Sequence, residues 1–289
     1  MTARIMDKTY SKLFVIILGL TISIFCNAKQ GIAFDEFTFS KLTNKECSQL
    51  FRDNVITKNN PIPCNRLNRV NFSYINELGV VKQDGVLIVF DVLAPKVMVL
   101  MEKLLKQRFV ISKARPIESY LGDDNASMDD NNTSAFNGRA ITGGSRWSLH
   151  AYGVAIDINP IQNPFIDIEK DGTAKITPAK SAHLAVNRLN HRPGKPKRSG
   201  MAEDVVDIFA EHGFFVWGGY WNYPVDYQHF QVGPRSFIEE LVAKNFNHGE
   251  MLLNSYISMY LDCRKNSQGE RDQTEARAAC TDAIMTEMP

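Results

Sequence analysis

The chain has 289 residues, with 33 Lys and Arg against 32 Asp and Glu for a net charge of +1. That length suffices for one large core or a core with appendages. The near-cancelling charges exclude a dominant electrostatic footprint for nucleic acid and point to a specific ligand as the partner.

In chain order, Arg4, Lys8 and Lys12 precede an uncharged apolar run, "LFVIILGLTISIF" (13–25), too short for a comfortable membrane span. Residues 1–28 therefore read as a secretory signal peptide cut after Ala28, giving an exported, periplasmic or secreted protein with no stable membrane span once the signal is removed. Beyond that point stand Cys47, Cys64, Cys263 and Cys280. An even number in an exported chain argues for disulfides, and three pairings are possible. The two local ones, Cys47 with Cys64 and Cys263 with Cys280, are preferred; each would add about 3 kcal/mol if unstrained. Without a C-x-x-C pair, a zinc site made of these cysteines is disfavoured.

Residues 29–80 are mixed and polar, with a turn-rich loop "KNNPIPCN" (58–65), and read as an N-terminal extension. The main domain is expected over 81–235. It opens with a buried strand, "GVLIVFDV" (85–92), and a helix over 94–109 with Val97, Leu100, Met101, Leu104 and Leu105 on one face. A short strand, "FVISKA" (109–114), delivers Arg115 to its end. Residues 115–147 are polar with too few apolar positions for a core element, yet Tyr120, Met128 and Phe136 suggest that the segment is pinned. "GVAIDINP" (153–160) alternates as a strand, 162–200 is an excursion turning at Asp171 and Gly172, and 201–213 is an amphipathic helix. "FFVWGGYW" and "HFQVG" follow as strand, turn and strand. The tail, 236–289, reads as helical, with Cys263 and Cys280 able to staple a hairpin. The fold class expected is α+β: a small antiparallel sheet with flanking helices and a disulfide-stapled helical C-terminal extension.

Two stretches carry chemistry. "SLHAYGVAID" (148–157) offers His150 and Asp157 around Gly153, which permits a sharp turn, and "DYQHFQV" (226–232) adds His229 and Asp226. Two neutral imidazoles and a carboxylate are a common shell for a catalytic zinc, with the fourth position left for water. Asp226 would serve as general base beside it. On an ideal strand Asp226 and His229, three apart, would face opposite ways, so the chain must turn or bulge at Tyr227 and Gln228. Arg115 could supply positive charge to an oxyanion.

The forms S-x-H-x-x-G-x-A-x-D and D-x-x-H-F in these stretches resemble the zinc D-Ala-D-Ala carboxypeptidase and endolysin-type L-Ala-D-Glu peptidase family, which shares its core with hedgehog signalling domains. The resemblance covers roughly residues 85–235, and "SMDDNNTSAFNGR" and "GFFVWGGYW" look like its endopeptidase-type branch. It implies one zinc bound by His150, Asp157 and His229, with Asp226 as base, Arg115 as transition-state arginine, Ser148 as a substrate contact, and Asn137 and Arg139 shaping the cleft. Two departures stand out: Gln231 where the family often has Glu, and Asp226 where the vancomycin-resistance dipeptidase branch has Glu. The implied substrate is a peptidoglycan stem peptide. Cleavage of an L-Ala-D-Glu-type bond and removal of a terminal D-Ala both remain open. The alternative function is a non-catalytic zinc-containing module that binds cell wall or protein.

Overall fold

A computed structural model describes residues 37–141, 144–269 and 272–289; the signal peptide expected over 1–28 lies outside them. The first layer is an antiparallel sheet of order β1-β2-β3, from β1 (Thr38–Lys41), β2 (Leu67–Ile75) and β3 (Val81–Phe90). Between the first two strands, α1 (Asn44–Arg52) starts on a capping box in which Thr43 and Glu46 satisfy each other's backbone N–H. The Cys47–Cys64 disulfide ties this helix to the loop that enters β2. Because β2 and β3 form one hairpin, the division expected at 80/81 runs through it, and residues assigned to the extension supply two of this sheet's three strands.

The helix α2 (Ala94–Lys106) buries the five apolar side chains its spacing predicted, each worth roughly 1.5–3 kcal/mol of transfer free energy. The strand expected over 109–114 shrinks to β4 (Lys113–Ala114), paired in parallel with β5 (Asn132–Thr133) after α3 (Asp124–Asp129). Buried asparagines replace the missing ladder. Asn159 accepts from the Ser112 N–H at 2.8 Å and donates to the Val110 carbonyl at 2.7 Å; Asn132 does the same to both groups of Arg115, at 2.7 and 2.9 Å. A side-chain amide offers both donor and acceptor, as a peptide unit does. The same device corrects the reading of 115–147 as too polar for the core: residues 131–137 are buried throughout, and Phe136 donates its N–H to Ile88 on the free edge of β3.

The second half contains two further three-stranded antiparallel sheets. One has the order β6-β11-β9, from β6 (Ala155–Asp157), β9 (Val216–Trp217) and β11 (His229–Gln231). The other has the order β10-β7-β8, from β7 (Phe165–Ile168), β8 (Ala174–Thr177) and β10 (Val225–Asp226). The β7–β8 hairpin turns at Asp171 and Gly172 as expected, with Asp171 accepting from Thr173. After the short α4 (Ser181–Leu184), the helix expected over 201–213 begins as a 3-10 turn and becomes α5 only over Val206–Glu211.

The tail forms α6 (Arg235–Ala243), α7 (Phe246–Asn266) and α8 (Gln273–Glu287). Leu253, Ile257 and Tyr260 of α7 are buried, and Cys263–Cys280 staples α8 to it. The class is α+β with small antiparallel sheets, eight α-helices among the described residues and two disulfides, both in the preferred local pairing. Among those residues no helix is long and apolar enough to cross a membrane.

Candidate metal centre

Local backbone geometry brings His150 and Asp157 together. Ser148 caps a 3-10 turn over Leu149–Tyr152, its Oγ accepting from the His150 N–H at 3.3 Å, and Gly153 ends the turn at φ 67°. A Cβ on Gly153 would stand 2.6 Å from the Phe90 amide nitrogen, and its carbonyl accepts from that amide at 2.9 Å. Glycine is therefore required both for the left-handed backbone and for the close approach. The chain then enters β6, whose last residue is Asp157.

His229 comes from β11, the central strand of its sheet, in direct register with Asp157. Cross-strand partners in an antiparallel pair project to one face. The result is a buried cluster: His229 Nδ1 is 3.0 Å from one Asp157 oxygen, His150 Nε2 is 3.2 Å from the other, and the two ring nitrogens are 3.1 Å apart. All three ligand atoms lie within 4.8 Å of one another.

The outer nitrogens decide what the inner ones can do. His150 Nδ1 donates to the Ala135 carbonyl at 2.6 Å, which leaves Nε2 as a lone pair. Gln231 Nε2 donates to the Gly233 carbonyl at 2.9 Å, which turns its Oε1 toward His229 Nε2, also at 2.9 Å. His229 thus carries its proton on Nε2 and aims a lone pair from Nδ1 inward. Two lone pairs and a carboxylate converging on one point repel each other unless a cation sits between them. A borderline-soft ion that takes N and O donors, such as zinc, fits this set, and outer hydrogen bonds of this kind orient metal-binding imidazoles. Gln231 fills that orienting position in place of the glutamate seen in the resembling family.

Among the protein groups alone, burial works against the Asp157 charge, but His150 and then His229 hold the carboxyl well below the usual carboxylate range. Burial likewise disfavours a charged His229, yet the bond and charge of Asp157 raise it to about 9. The site attracts positive charge strongly enough to bind a proton where a metal would go.

Asp226 ends β10, and β11 begins at His229. In the two-residue link between them, Tyr227 donates its N–H to Pro164 and the Gln228 carbonyl accepts from Ile158. The chain changes partner strand there, the break that the three-residue spacing demands. Burial first and the Asp157 charge second push Asp226 up to about 7. Its Oδ1 is enclosed without a hydrogen-bond partner. The Trp221 ring lies 5.4 Å from that of His229.

The remaining expected residues are placed differently. Asn137 donates its backbone N–H to the His150 carbonyl at 3.2 Å, and its side chain reaches Asp124 at 3.3 Å. Arg139 pairs with the same Asp124 at 2.6 Å, so both tie the loop before the His150 turn to α3. Arg115 is exposed at the end of β4, and no hydrogen bond or ion pair links its guanidinium to the cluster. Sequence reasoning missed Asp124 and the Ala135 carbonyl; neither carries a motif, and a backbone carbonyl has no residue signature at all.

The family model described as D-alanyl-D-alanine carboxypeptidase matches residues 142–232, less than half of the chain. The matched segment contains His150, Asp157, Asp226 and His229, and the resemblance read from the two motifs is borne out over it. Arg115, Asn137 and Arg139 lie outside it. Neither the curated proteins nor the solved structures give a match.

Proposed function

We propose that the chain is an exported zinc-dependent peptidase that hydrolyses an amide bond in peptidoglycan stem peptides. The observation that carries this reading is the donor set: three buried ligand atoms within 4.8 Å, both imidazoles already committed through their outer nitrogens, and an unpartnered carboxylate oxygen nearby. His150 Nε2, His229 Nδ1 and an Asp157 oxygen would hold the zinc, which when bound supplies Lewis acidity to water and to the scissile carbonyl. Asp226, buried beside the cluster, takes the proton of the attacking water and returns it to the leaving amine. Ser148, whose Oγ accepts from the His150 amide, keeps its own O–H to donate to substrate. Asn137 and Arg139 hold the cleft-side loop in place through Asp124, and Arg115 adds positive charge toward the oxyanion. Export is supported by the two disulfides, which persist in oxidising compartments.

The test is incubation of the zinc-loaded protein with muropeptides, followed by mass analysis of the products. Loss of a terminal D-Ala identifies a carboxypeptidase, and cleavage between L-Ala and D-Glu an endopeptidase. Bound zinc with no product from any stem peptide would sink the peptidase reading in favour of a binding module.

A further inference from the structure

Beyond the segment matched by the family model, α8 carries a buried arginine that serves neither the metal ligands nor the surface. Arg277 is 9% exposed, and its Nη2 and Nε both donate to the Tyr220 hydroxyl, at 2.8 and 3.2 Å. Its Nη1 lies 3.2 Å from Asp207 of α5, which offsets the buried charge. Tyr220 ends the 3-10 turn Gly218–Tyr220, and its ring meets that of Trp217 edge-on at 5.0 Å. Trp217 in turn donates Nε1 to the Tyr227 carbonyl at 2.8 Å, directly after Asp226. Gly218 presses on Asp226 itself: a Cβ there would stand 2.5 Å from the Asp226 carbonyl oxygen and 2.9 Å from its Cβ.

A chain of direct contacts therefore runs from α8 through Tyr220 and the Trp217–Gly218 turn to Asp226. Its far end is fixed by the Cys263–Cys280 disulfide, whose second cysteine lies three residues beyond Arg277. Granting the peptidase reading, on which this rests, we propose that the stapled C-terminal hairpin positions the general base, with Arg277 as the positioning residue that clamps the Tyr220 turn against Asp226. Directing two donors of a buried guanidinium at one phenol oxygen satisfies the guanidinium and also fixes where the Tyr220 turn sits. The clamp meets Asp226 directly through Gly218, whereas it reaches the His229 strand only through the Trp217–Phe230 pairing, and His229 is held on its other side by β6 and Asp157, so the clamp acts first on the base.

The test uses the full oxidised chain with Arg277→Met, Arg277→Lys and Tyr220→Phe, alone and combined. Small displacements of a reacting group cost on the order of ten- to a hundred-fold in rate. Arg277→Met is expected to lower kcat by about that factor with KM and zinc affinity unchanged. Arg277→Lys should recover most of the loss, Tyr220→Phe should reproduce it, and the double variant Arg277→Met with Tyr220→Phe should be no worse than either alone. Hydrogen exchange over residues 216–228 should rise in Arg277→Met. Unchanged kcat, or a loss that zinc affinity follows, overturns the proposal; if Arg277→Met does not fold, Tyr220→Phe decides. If the wild-type chain cleaves no stem peptide, the peptidase reading fails separately. Exchange over 216–228 then still tests the clamp, and unchanged exchange overturns it.

Discussion

His150, Asp157 and His229 sit on backbone supported from both sides, whereas Asp226 ends a two-residue edge strand that leans on a turn. Asp157 exchanges both backbone hydrogen bonds with Ser134 and faces His229 across β11, which is itself paired with β6 and β9. Asp226 has β7 on one side only, and the rest of its support comes from the Gly218 turn. In the ligand half Asp157 and His229 are thus fixed by sheet register and His150 by a capped turn, and the base half by loop packing and, on our proposal, by a remote helix. A metal shell needs three atoms fixed relative to one another, which a ladder and a turn hydrogen-bonded to its neighbours provide. A base must reach a reacting proton in only one complex, which a tunable turn can arrange.

The contrast predicts separable failures. The largest is His150→Ala, or equally His229→Ala, which should abolish both stoichiometric zinc binding and hydrolysis, measured by equilibrium dialysis and by product formation on stem peptides. Asp226→Asn should retain zinc while kcat falls about 10²–10⁴-fold, the usual worth of general acid/base catalysis. Comparable losses of zinc in both variants would mean that the two halves are not distinct. Smaller again is Gln231→Leu, which removes the acceptor from His229 Nε2 and should weaken zinc affinity by about 10–100-fold. Gln231→Glu, which retains the acceptor, should restore the affinity.

The two halves also differ in how far the sequence discloses them. The spacing of His150, Gly153 and Asp157 on a turn and an alternating run is consistent with the ligand geometry, and the resemblance carried by the two motifs is what singles out the three ligands. The break between Asp226 and His229 follows from parity alone. What holds Asp226 does not, since Arg277 is 51 residues downstream of Asp226 on a helix whose sequence announces only a helical tail. The burial of 131–137 was hidden for another reason: its asparagines read as loop, while in the fold their amides complete hydrogen bonds that a strand would otherwise supply. Polar residues that replace backbone partners are invisible to any hydrophobic pattern.

The smallest expected effect is a slope rather than a loss, and it treats the two halves as one titrating unit. In the metal-free protein His229 is raised from 6.5 to about 9 and Asp226 from 3.8 to about 7. For both groups the folded state keeps a proton that the unfolded state releases, so stability falls as pH rises. The Asp226 contribution is complete below pH 3.8 and lost through about 7; that of His229 is complete below 6.5 and lost through about 9. Asp157 works oppositely, contributing above its ordinary 3.8 and losing that contribution only as pH drops further into acid. Chelated protein should therefore lose stability between pH 6 and 9 at up to about 1.4 kcal/mol per pH unit for each proton involved. Zinc replaces the proton on the ligand cluster, so the loaded protein should show a flatter limb over the same range. Urea midpoints of both forms at a series of pH values measure the difference, and parallel slopes would show that the His229 proton and the metal do not compete for one position.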